Sequence, residues 1–172
     1  MQKFVRVGVL GAGMMGAEIG LCFAKAGYQV VIKDETRELA QKGKDRLSVV
    51  LDKAIKKGRF EAEKKDATLD LITPTGSYDP FTEVDFVTEA VFEDLQVKET
   101  VYRQVDEVCK PECVFTSNTS SISITRLSTT VSPERRPRFL GTHYFSPASI
   151  MKLVEVIPAL ETDEDVVAAT FE

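Results

Sequence analysis

Residues 7 to 18 read VGVLGAGMMGAE, an apolar run that leads into Gly11, Gly13 and Gly16. Each glycine meets a different need where a strand passes into a helix. Gly11 permits the tight turn, and Gly13 lets the backbone approach a pyrophosphate without a Cβ in the way. Gly16 lets the helix pack closely on the strand. The stretch therefore predicts a phosphate-binding turn, and the alternative is a tight turn with no ligand.

The first turn of the following helix supplies hydrogen-bond donors for such a site. Met14 and Met15 lie in this turn, and the first backbone N–H groups of a helix have no partner within it. Free donors and the positive end of the helix dipole favour a negatively charged ligand. We therefore count both methionines, with the three glycines, as cofactor-binding residues.

An acidic residue follows the second predicted strand. The run QVVIK leads into Asp34, which lies 18 residues after Gly16, close to the spacing of about 20 in dinucleotide-binding folds. A carboxylate at this position accepts hydrogen bonds from both ribose hydroxyls and repels a 2′-phosphate, so NAD is favoured over NADP. Lys33 and Arg37 flank Asp34, and their positive charges would instead favour the 2′-phosphate of NADP. The alternative interpretation is a solvated acid at the end of a strand.

The composition limits the classes of partner. The chain has 172 residues, of which 43% are hydrophobic and 28% charged, as is usual for a soluble globular domain. Its net charge of −5 argues against nucleic-acid binding, which usually needs a basic excess. No apolar run approaches the length of a membrane span, and the first apolar run starts too early to leave room for a targeting peptide. We expect no nucleic-acid or membrane partner.

The cysteines indicate a reducing compartment. Cys22, Cys109 and Cys113 are an odd number and form no Cys-x-x-Cys pair, which favours buried apolar thiols over a disulfide framework. Cys109 and Cys113 alone do not complete a metal site in a chain with a single histidine. We therefore expect a cytoplasmic protein without a metal.

Apolar patterning predicts an α/β fold. The predicted strands are residues 4–10, 29–33, 69–74, 85–91, 114–117, 139–145 and 153–157, and the predicted helices are 12–26, 35–57, 59–68, 95–109 and 122–127. Strands that alternate with helices pair in parallel through crossovers. We expect residues 1–172 to form a single Rossmann-type, doubly wound domain, with a mostly parallel sheet and helices on both faces.

The last residues predict one more helix. Thr162 and Asp163 offer side-chain oxygens that could cap it, and an acid follows three positions after Thr162. This helix starts well and stops abruptly at Glu172, which suggests a fragment of a longer chain. A short terminal helix docked on the sheet is the alternative.

Three later segments carry more specific information. They read EAVFEDLQVK (89–98), SNTSSISI (117–124) and GTHYFSPASIMKLVEVI (141–157). Together with GAGMMG, and in this order along essentially the whole chain, they resemble the NAD-binding domain of the L-3-hydroxyacyl-CoA dehydrogenases. The dehydrogenase part of multifunctional β-oxidation enzymes is included in this resemblance. It implies oxidation of a 3-hydroxyacyl-CoA to the 3-ketoacyl-CoA, with hydride transfer to NAD.

The resemblance also implies roles for individual residues. His143 would be the general base and Glu155 its carboxylate partner, while Ser120 would contact both substrate and nicotinamide. Glu93 and Lys98 would contact the cofactor. The chemistry agrees, because histidine is the side chain that titrates near neutral pH unperturbed and a carboxylate on its second nitrogen stabilises the imidazolium.

Two positions depart from the family pattern. Ser146 stands where many members have asparagine, and it would still contact the nicotinamide, as in the multifunctional branch. Val50 falls where a serine is expected to contact coenzyme A. Lys57 is then the remaining cation for the phosphates of coenzyme A.

Each residue also has a structural interpretation when taken alone. His143 could be a structural histidine at a strand end, and Glu155 a polar position in a half-buried strand. The serines of residues 117–121 could cap a helix. Lys98 could form a surface pair with Asp94, four residues earlier.

The resemblance implies a second, all-helical domain that closes over the acyl chain and forms a homodimer. That domain is not among these residues, so we expect the chain to bind NAD but to turn over hydroxyacyl-CoA poorly or not at all, since a cleft needs two walls. A non-catalytic NAD(H)-binding module and a different β-hydroxyacid dehydrogenase are the alternatives.

Overall fold

The computed structural model describes residues 4–171. Its strands are β1 (Arg6–Leu10), β2 (Gln29–Lys33), β3 (Ile72–Thr75), β4 (Phe86–Glu89), β5 (Val114–Ser117), β6 (Phe139–Tyr144) and β7 (Val154–Pro158). Its α-helices are α1 (Met14–Lys25), α2 (Arg37–Lys56), α3 (Lys65–Asp70), α4 (Leu95–Asp106), α5 (Ile124–Ser128) and α6 (Glu164–Thr170). Short 3₁₀ turns occupy Ala62–Lys64, Asp79–Glu83 and Arg136–Arg138.

The strands form one seven-stranded sheet in the order β3-β2-β1-β4-β5-β6-β7. The first six strands pair in parallel, and β7 runs antiparallel to β6. The order reverses between β1 and β4, which is where doubly wound sheets open a ligand-binding crevice at the carboxyl ends of their strands. The predicted Rossmann-type fold is confirmed.

Alternate residues of a strand pack into two separate core clusters, one on each face of the sheet. Val30 and Ile32 of β2 join one cluster with Leu47 of α2, whereas Val31 joins the other. The second cluster contains Tyr102 of α4 and further residues of α5. Because successive strand side chains point to opposite faces, the sheet carries α1 and α2 on one face and α4 and α5 on the other.

One strand begins later in the structure than the sequence predicts. Residues 69–74 were expected to be extended, but Leu69 and Asp70 end α3, and pairing with β2 starts at Ile72. Leu69 packs against the same core cluster as α1 and α2. Tertiary burial therefore holds it in a helix although its neighbours have a strand-like composition.

The final helix forms, but without the predicted side-chain cap. Asp163 is the N-cap residue of α6 and makes no capping hydrogen bond with its side chain. The Thr162 hydroxyl instead donates to the carbonyl of Phe139 and accepts from the N–H of Ala159 at 2.7 Å. Thr162 thus ties the start of α6 to β6 rather than capping the helix.

Candidate active site at the carboxyl edge of the sheet

The glycine turn joins β1 to α1 with the geometry that the sequence predicts. Gly11 has φ +95°, and a Cβ at Gly16 would lie 1.9 Å from the Gly11 carbonyl oxygen. Side chains are therefore excluded at both positions by backbone conformation or by backbone atoms. A Cβ at Gly13 would meet no atom within 4 Å. The space above Gly13 is open, as the approach of a pyrophosphate requires.

Asp34 lies beside this turn. Its Oδ2 accepts a hydrogen bond from the N–H of Ala12 at 2.8 Å, and its Oδ1 accepts one from the N–H of Glu35 at 2.8 Å. Each carboxylate oxygen keeps a further lone pair, so the group is fixed and can still accept from ribose hydroxyls. This hydrogen-bond acceptor fits the ribose of a dinucleotide.

A groove of about 520 Å³ runs over the turn. Both charged and apolar side chains line it. The lining residues include Asp34, Glu35, Lys42, Arg46, Val91, Phe92, Val97 and Val101. A lining of both kinds suits a molecule that combines a ribose and diphosphate with a flat heterocycle.

Three side chains form a continuous hydrogen-bonded series further along the same edge. Ser120 Oγ lies 3.0 Å from His143 Nε2, and His143 Nδ1 lies 2.8 Å from Glu155 Oε2. An ionised carboxylate only accepts hydrogen bonds, so Nδ1 carries the hydrogen in the neutral ring and Nε2 keeps its lone pair. The imidazole is therefore arranged as a base whose free nitrogen faces Ser120.

The sheet itself brings these residues together. His143 and Glu155 are direct cross-strand partners in the antiparallel pair of β6 and β7, so their side chains share one face. Ser120 lies in the turn after β5, and Asn118 Oδ1 of that turn accepts from the N–H of Tyr144 at 2.8 Å. The turn is thus held against the end of β6.

Glu93 organises the turn that carries Ser120. It accepts from the backbone N–H groups of Ser120 at 3.0 Å and Ser121 at 3.2 Å, and from the hydroxyls of Thr119 and Ser121. Burial pushes the pKa of Glu93 upward, but the Thr119 hydroxyl, the Lys98 ammonium and the Ser121 hydroxyl lower this pKa to about 2. Glu93 is therefore a carboxylate throughout the physiological range.

Lys98 is buried rather than exposed, so the surface pair with Asp94 is wrong. Its side chain is 1% exposed, and Nζ lies 2.6 Å from Glu89 Oε1 and 3.3 Å from Glu93 Oε2. Asp94 instead caps α4 by accepting from the N–H of Val97 at 3.0 Å. Glu93 lies against the Lys98 ammonium. A contact between Lys98 and the cofactor therefore stays a prediction.

Glu89 is the residue that sequence reasoning missed. Its fully buried carboxylate accepts from Lys98, from the Ser117 hydroxyl at 2.6 Å and from the N–H of Val91 at 2.8 Å. The Tyr102 hydroxyl lies 3.4 Å from its Oε2. An acid at the carboxyl end of an otherwise apolar strand was the signal, because buried charges need partners.

The hydroxyls of residues 117–121 do not cap α5. Ser123 is its N-cap and accepts from the N–H of Arg126. Ser117 instead binds Glu89, and Ser120 faces His143. Capping as the alternative role of the 117–121 segment is therefore wrong.

The remaining predicted residues are less tightly connected. Ser146 follows β6 and is exposed, as is the side chain of Met14, while Met15 is half-buried. Lys57 is exposed and follows the C-terminal end of the 20-residue α2. At 1.5 Å per residue, this places it about 30 Å from the end of α2 that adjoins Asp34. The structure does not bring Lys57 together with the other site residues, and its contact with coenzyme A stays a prediction.

Two further features of residues 4–171 concern metals and membranes. No three acidic, histidine or cysteine side chains lie in a metal-binding arrangement there. None of the helices in this part of the chain is long and apolar enough to cross a membrane.

Comparison with known proteins identifies the family. The family described as "3-hydroxyacyl-CoA dehydrogenase, NAD binding domain" matches residues 6–172. The chain belongs to this family. Because the family is one of NAD-binding domains, NAD is the cofactor of this chain.

Relatives of this NAD-binding domain are longer proteins. The chain is 40% identical over 162 residues to the fatty acid oxidation complex subunit alpha of Psychrobacter arcticus, covering 94% of this chain and 22% of that protein. It is 38% identical over 162 residues to the 3-hydroxyadipyl-CoA dehydrogenase of Escherichia coli, covering 94% and 34%. The solved (S)-3-hydroxybutyryl-CoA dehydrogenase PaaH1 of Ralstonia eutropha superposes with a TM-score of 0.93 at 36% identity, covering 98% and 59%.

Proposed function

We propose that the chain supplies the NAD-binding and proton-transferring part of a dehydrogenase that oxidises 3-hydroxyacyl-CoA to 3-ketoacyl-CoA. The observation that carries this proposal is the Ser120–His143–Glu155 series at the same sheet edge as the cofactor groove. A base next to a nicotinamide site suits removal of a proton from a secondary alcohol. Similarity to a 3-hydroxyadipyl-CoA dehydrogenase and to a (S)-3-hydroxybutyryl-CoA dehydrogenase supports this substrate class.

The site residues fall into two groups: those that would bind NAD and those that would take part in the reaction. Gly11, Gly13, Gly16, the N–H groups of Met14 and Met15, and Asp34 would hold NAD. When bound, NAD accepts the hydride from C3 of the substrate. Ser146 would contact the nicotinamide from the loop after β6.

His143 would take the hydroxyl proton at Nε2. Glu155, on Nδ1, would fix the neutral tautomer and stabilise the imidazolium as it forms. The Ser120 hydroxyl would orient the substrate hydroxyl towards Nε2. Glu93 would keep Ser120 in place through its backbone N–H.

Further parts of the proposal concern the whole protein. Lys57 would bind a phosphate of coenzyme A, with no nucleic acid or membrane as partner. A helical second domain would complete the acyl pocket and form a homodimer. We propose a cytoplasmic location because the three thiols are free and two of them, Cys109 and Cys113, are buried.

The test is reduction of acetoacetyl-CoA by NADH, the reaction in reverse. The 172-residue chain is used at a concentration equal to that of the substrate, so that a single slow turnover is visible. His143→Gln should slow the reaction about 10³-fold, the usual range for loss of a general base, while the Kd for NAD stays within about twofold. Glu161→Gln, which changes an exposed acid paired with Arg136, is the matched control and should leave the rate unchanged.

Two outcomes contradict the proposal. If His143→Gln weakens NAD binding as much as it slows the reaction, His143 is structural. If the unmodified chain does not bind NADH, it does not supply the cofactor site of a dehydrogenase.

A further inference from the structure

The wall of the cofactor groove formed by α2 carries two cations. Lys42 and Arg46 are one helical turn apart, and both line the groove. Arg46 Nη2 donates to the carbonyl oxygen of Ala12 at 2.6 Å. Ala12 lies between the first two glycines of the turn, so this guanidinium contacts the phosphate-binding turn directly.

A glycine on α2 allows this approach. A Cβ at Gly43 would lie 2.6 Å from the Ala12 carbonyl oxygen, so any larger residue would push α2 away from the turn. Arg46 lies three residues later, on the same side of the helix. Close packing at Gly43 therefore sets the distance from which Arg46 reaches the turn.

The charge of Arg46 has no acidic partner among residues 4–171. No carboxylate lies within 4.0 Å of it there, and its one hydrogen bond to Ala12 uses one of five guanidinium N–H donors. Both oxygens of Asp34 already accept backbone N–H groups. Like charges four residues apart on a helix, such as Lys42 and Arg46, also repel each other. An anion in the groove would relieve this repulsion.

The facing end of α1 has no competing acid. Its first turn contains no acidic residue, and its N-cap, Gly13, has no side chain to occupy the free N–H groups. Gly13, the N-cap of α1, and Arg46 line the same groove. A diphosphate over Gly13 would be met by N–H groups from one side and by a guanidinium from the other.

We propose that Arg46 is a further cofactor-binding residue, which holds the Ala12 carbonyl with one N–H and donates to the diphosphate of NAD with another. This inference rests on the cofactor site of the proposed function and not on its dehydrogenase reaction. It makes Arg46 a determinant of diphosphate affinity in particular. Its removal should therefore affect ligands that contain a diphosphate and spare those that lack one.

The experiment measures Kd for NAD, ADP-ribose, adenosine and NADP by NMR titration, which reaches millimolar affinities. Arg46→Gln should weaken NAD and ADP-ribose about tenfold and adenosine less than twofold, because only the first two place charge beside the guanidinium. Arg46→Lys should recover part of the loss, since lysine keeps the charge but not the planar fork. Lys44→Gln removes a cation of the same helix that does not line the groove, and it should change none of the constants.

Three results would overturn the proposal. Equal weakening of NAD, ADP-ribose and adenosine would mean that Arg46 only supports the turn. Unchanged binding of all ligands would mean that it has no role. A loss confined to NADP would assign the cations to a 2′-phosphate. Because each readout is binding, a chain that fails to reduce acetoacetyl-CoA still gives a clear answer here, and thermal unfolding of each variant checks its folding.

Discussion

Two ends of this sheet edge are built in different ways: the glycine turn, proposed as the cofactor end, and the Ser120–His143–Glu155 series, proposed as the catalytic end. At the cofactor end, one continuous stretch supplies backbone donors, and the glycines matter because side chains are missing. At the catalytic end, Ser120, His143 and Glu155 come from three separate segments and act through their side chains. Backbone is positioned by the strand and helix to which it belongs, whereas side chains from distant segments need additional support.

Buried charges provide that support at the catalytic end. The Lys98 ammonium lies between Glu89 and Glu93. Glu89 binds the end of β5 through Ser117, and Glu93 binds the turn that carries Ser120. Among residues 4–171, no comparable charged network underlies the glycine turn, where Asp34 and Arg46 make single contacts with Ala12. We therefore expect changes at the two ends to affect different properties.

The largest effect should follow removal of the buried cation. Lys98→Met leaves Glu89 buried without its ion pair, and breaking such a pair typically costs about 3–5 kcal/mol in the free energy of unfolding. Urea unfolding measures this cost. Lys64→Met, which removes one half of an exposed pair with Glu61, should change stability by less than about 0.5 kcal/mol.

A second variant guards against a Lys98→Met protein that does not fold. Replacing Glu89 by Gln and Lys98 by Met together removes both charges, so it should recover much of the lost stability. A single Lys98→Met variant as stable as the unmodified chain would show that the buried network does not support the catalytic end.

An intermediate effect separates two glycines of the cofactor end. Gly16→Ala places a Cβ 1.9 Å from a backbone oxygen, so stability should fall by about 1–3 kcal/mol, as for other overpacked sites. Gly13→Ala meets no protein atom within 4 Å, so stability should stay within about 0.5 kcal/mol. NAD binding should nevertheless weaken about tenfold in Gly13→Ala, which corresponds to about 1.4 kcal/mol.

Urea unfolding measures the stability of both variants, and isothermal titration calorimetry measures their binding of NAD. Together they separate a loss of stability from a loss of binding. Unweakened NAD binding by Gly13→Ala would place the diphosphate elsewhere than over the turn. That result would remove the basis for comparing the two ends.

The smallest effect should appear at low pH. The pKa of Glu93 is about 2 in the folded chain, against an ordinary value of 4.5, so the unfolded chain takes up this proton first as the pH falls. The stability that Glu93 contributes is therefore complete above about pH 4.5 and is lost as the pH drops towards 2. Since the side chain is 41% exposed, solvent screening limits the contribution to about 1 kcal/mol.

Glu93→Gln should reduce the dependence of unfolding free energy on pH between 5 and 3. Urea unfolding across this range measures the slope for both proteins. Glu61→Gln is the control, because Glu61 forms only an exposed pair. Equal slopes for the Glu93→Gln variant and the unmodified chain would show that Glu93 does not carry the low-pH sensitivity.

Local patterns predicted much of the fold. The alternation of strands and helices and the glycine turn specified a doubly wound sheet, because crossovers and φ preferences act over short stretches. The strand predicted at residues 69–74 was wrong at Leu69 and Asp70, which lie in α3 and where Leu69 packs on the core cluster of α1 and α2, and was confirmed from Ile72 onward. The predicted capping at Thr162 was also wrong, as was the alternative that residues 117–121 cap a helix, because hydroxyls of both segments bind distant groups instead.

The sequence by itself determined the nucleotide-binding turn, the acid after β2 and the residue types able to act as base and partner. Only the tertiary structure decided that Lys98 is a buried cation shared by Glu89 and Glu93, that Ser120 faces His143, and that Arg46 reaches the glycine turn. The physical reason is the separation along the chain over which each interaction acts. Backbone conformation and helix dipoles follow from neighbouring residues, whereas an ion pair or a hydrogen bond between distant segments exists only when the packed sheet sets both its distance and its burial.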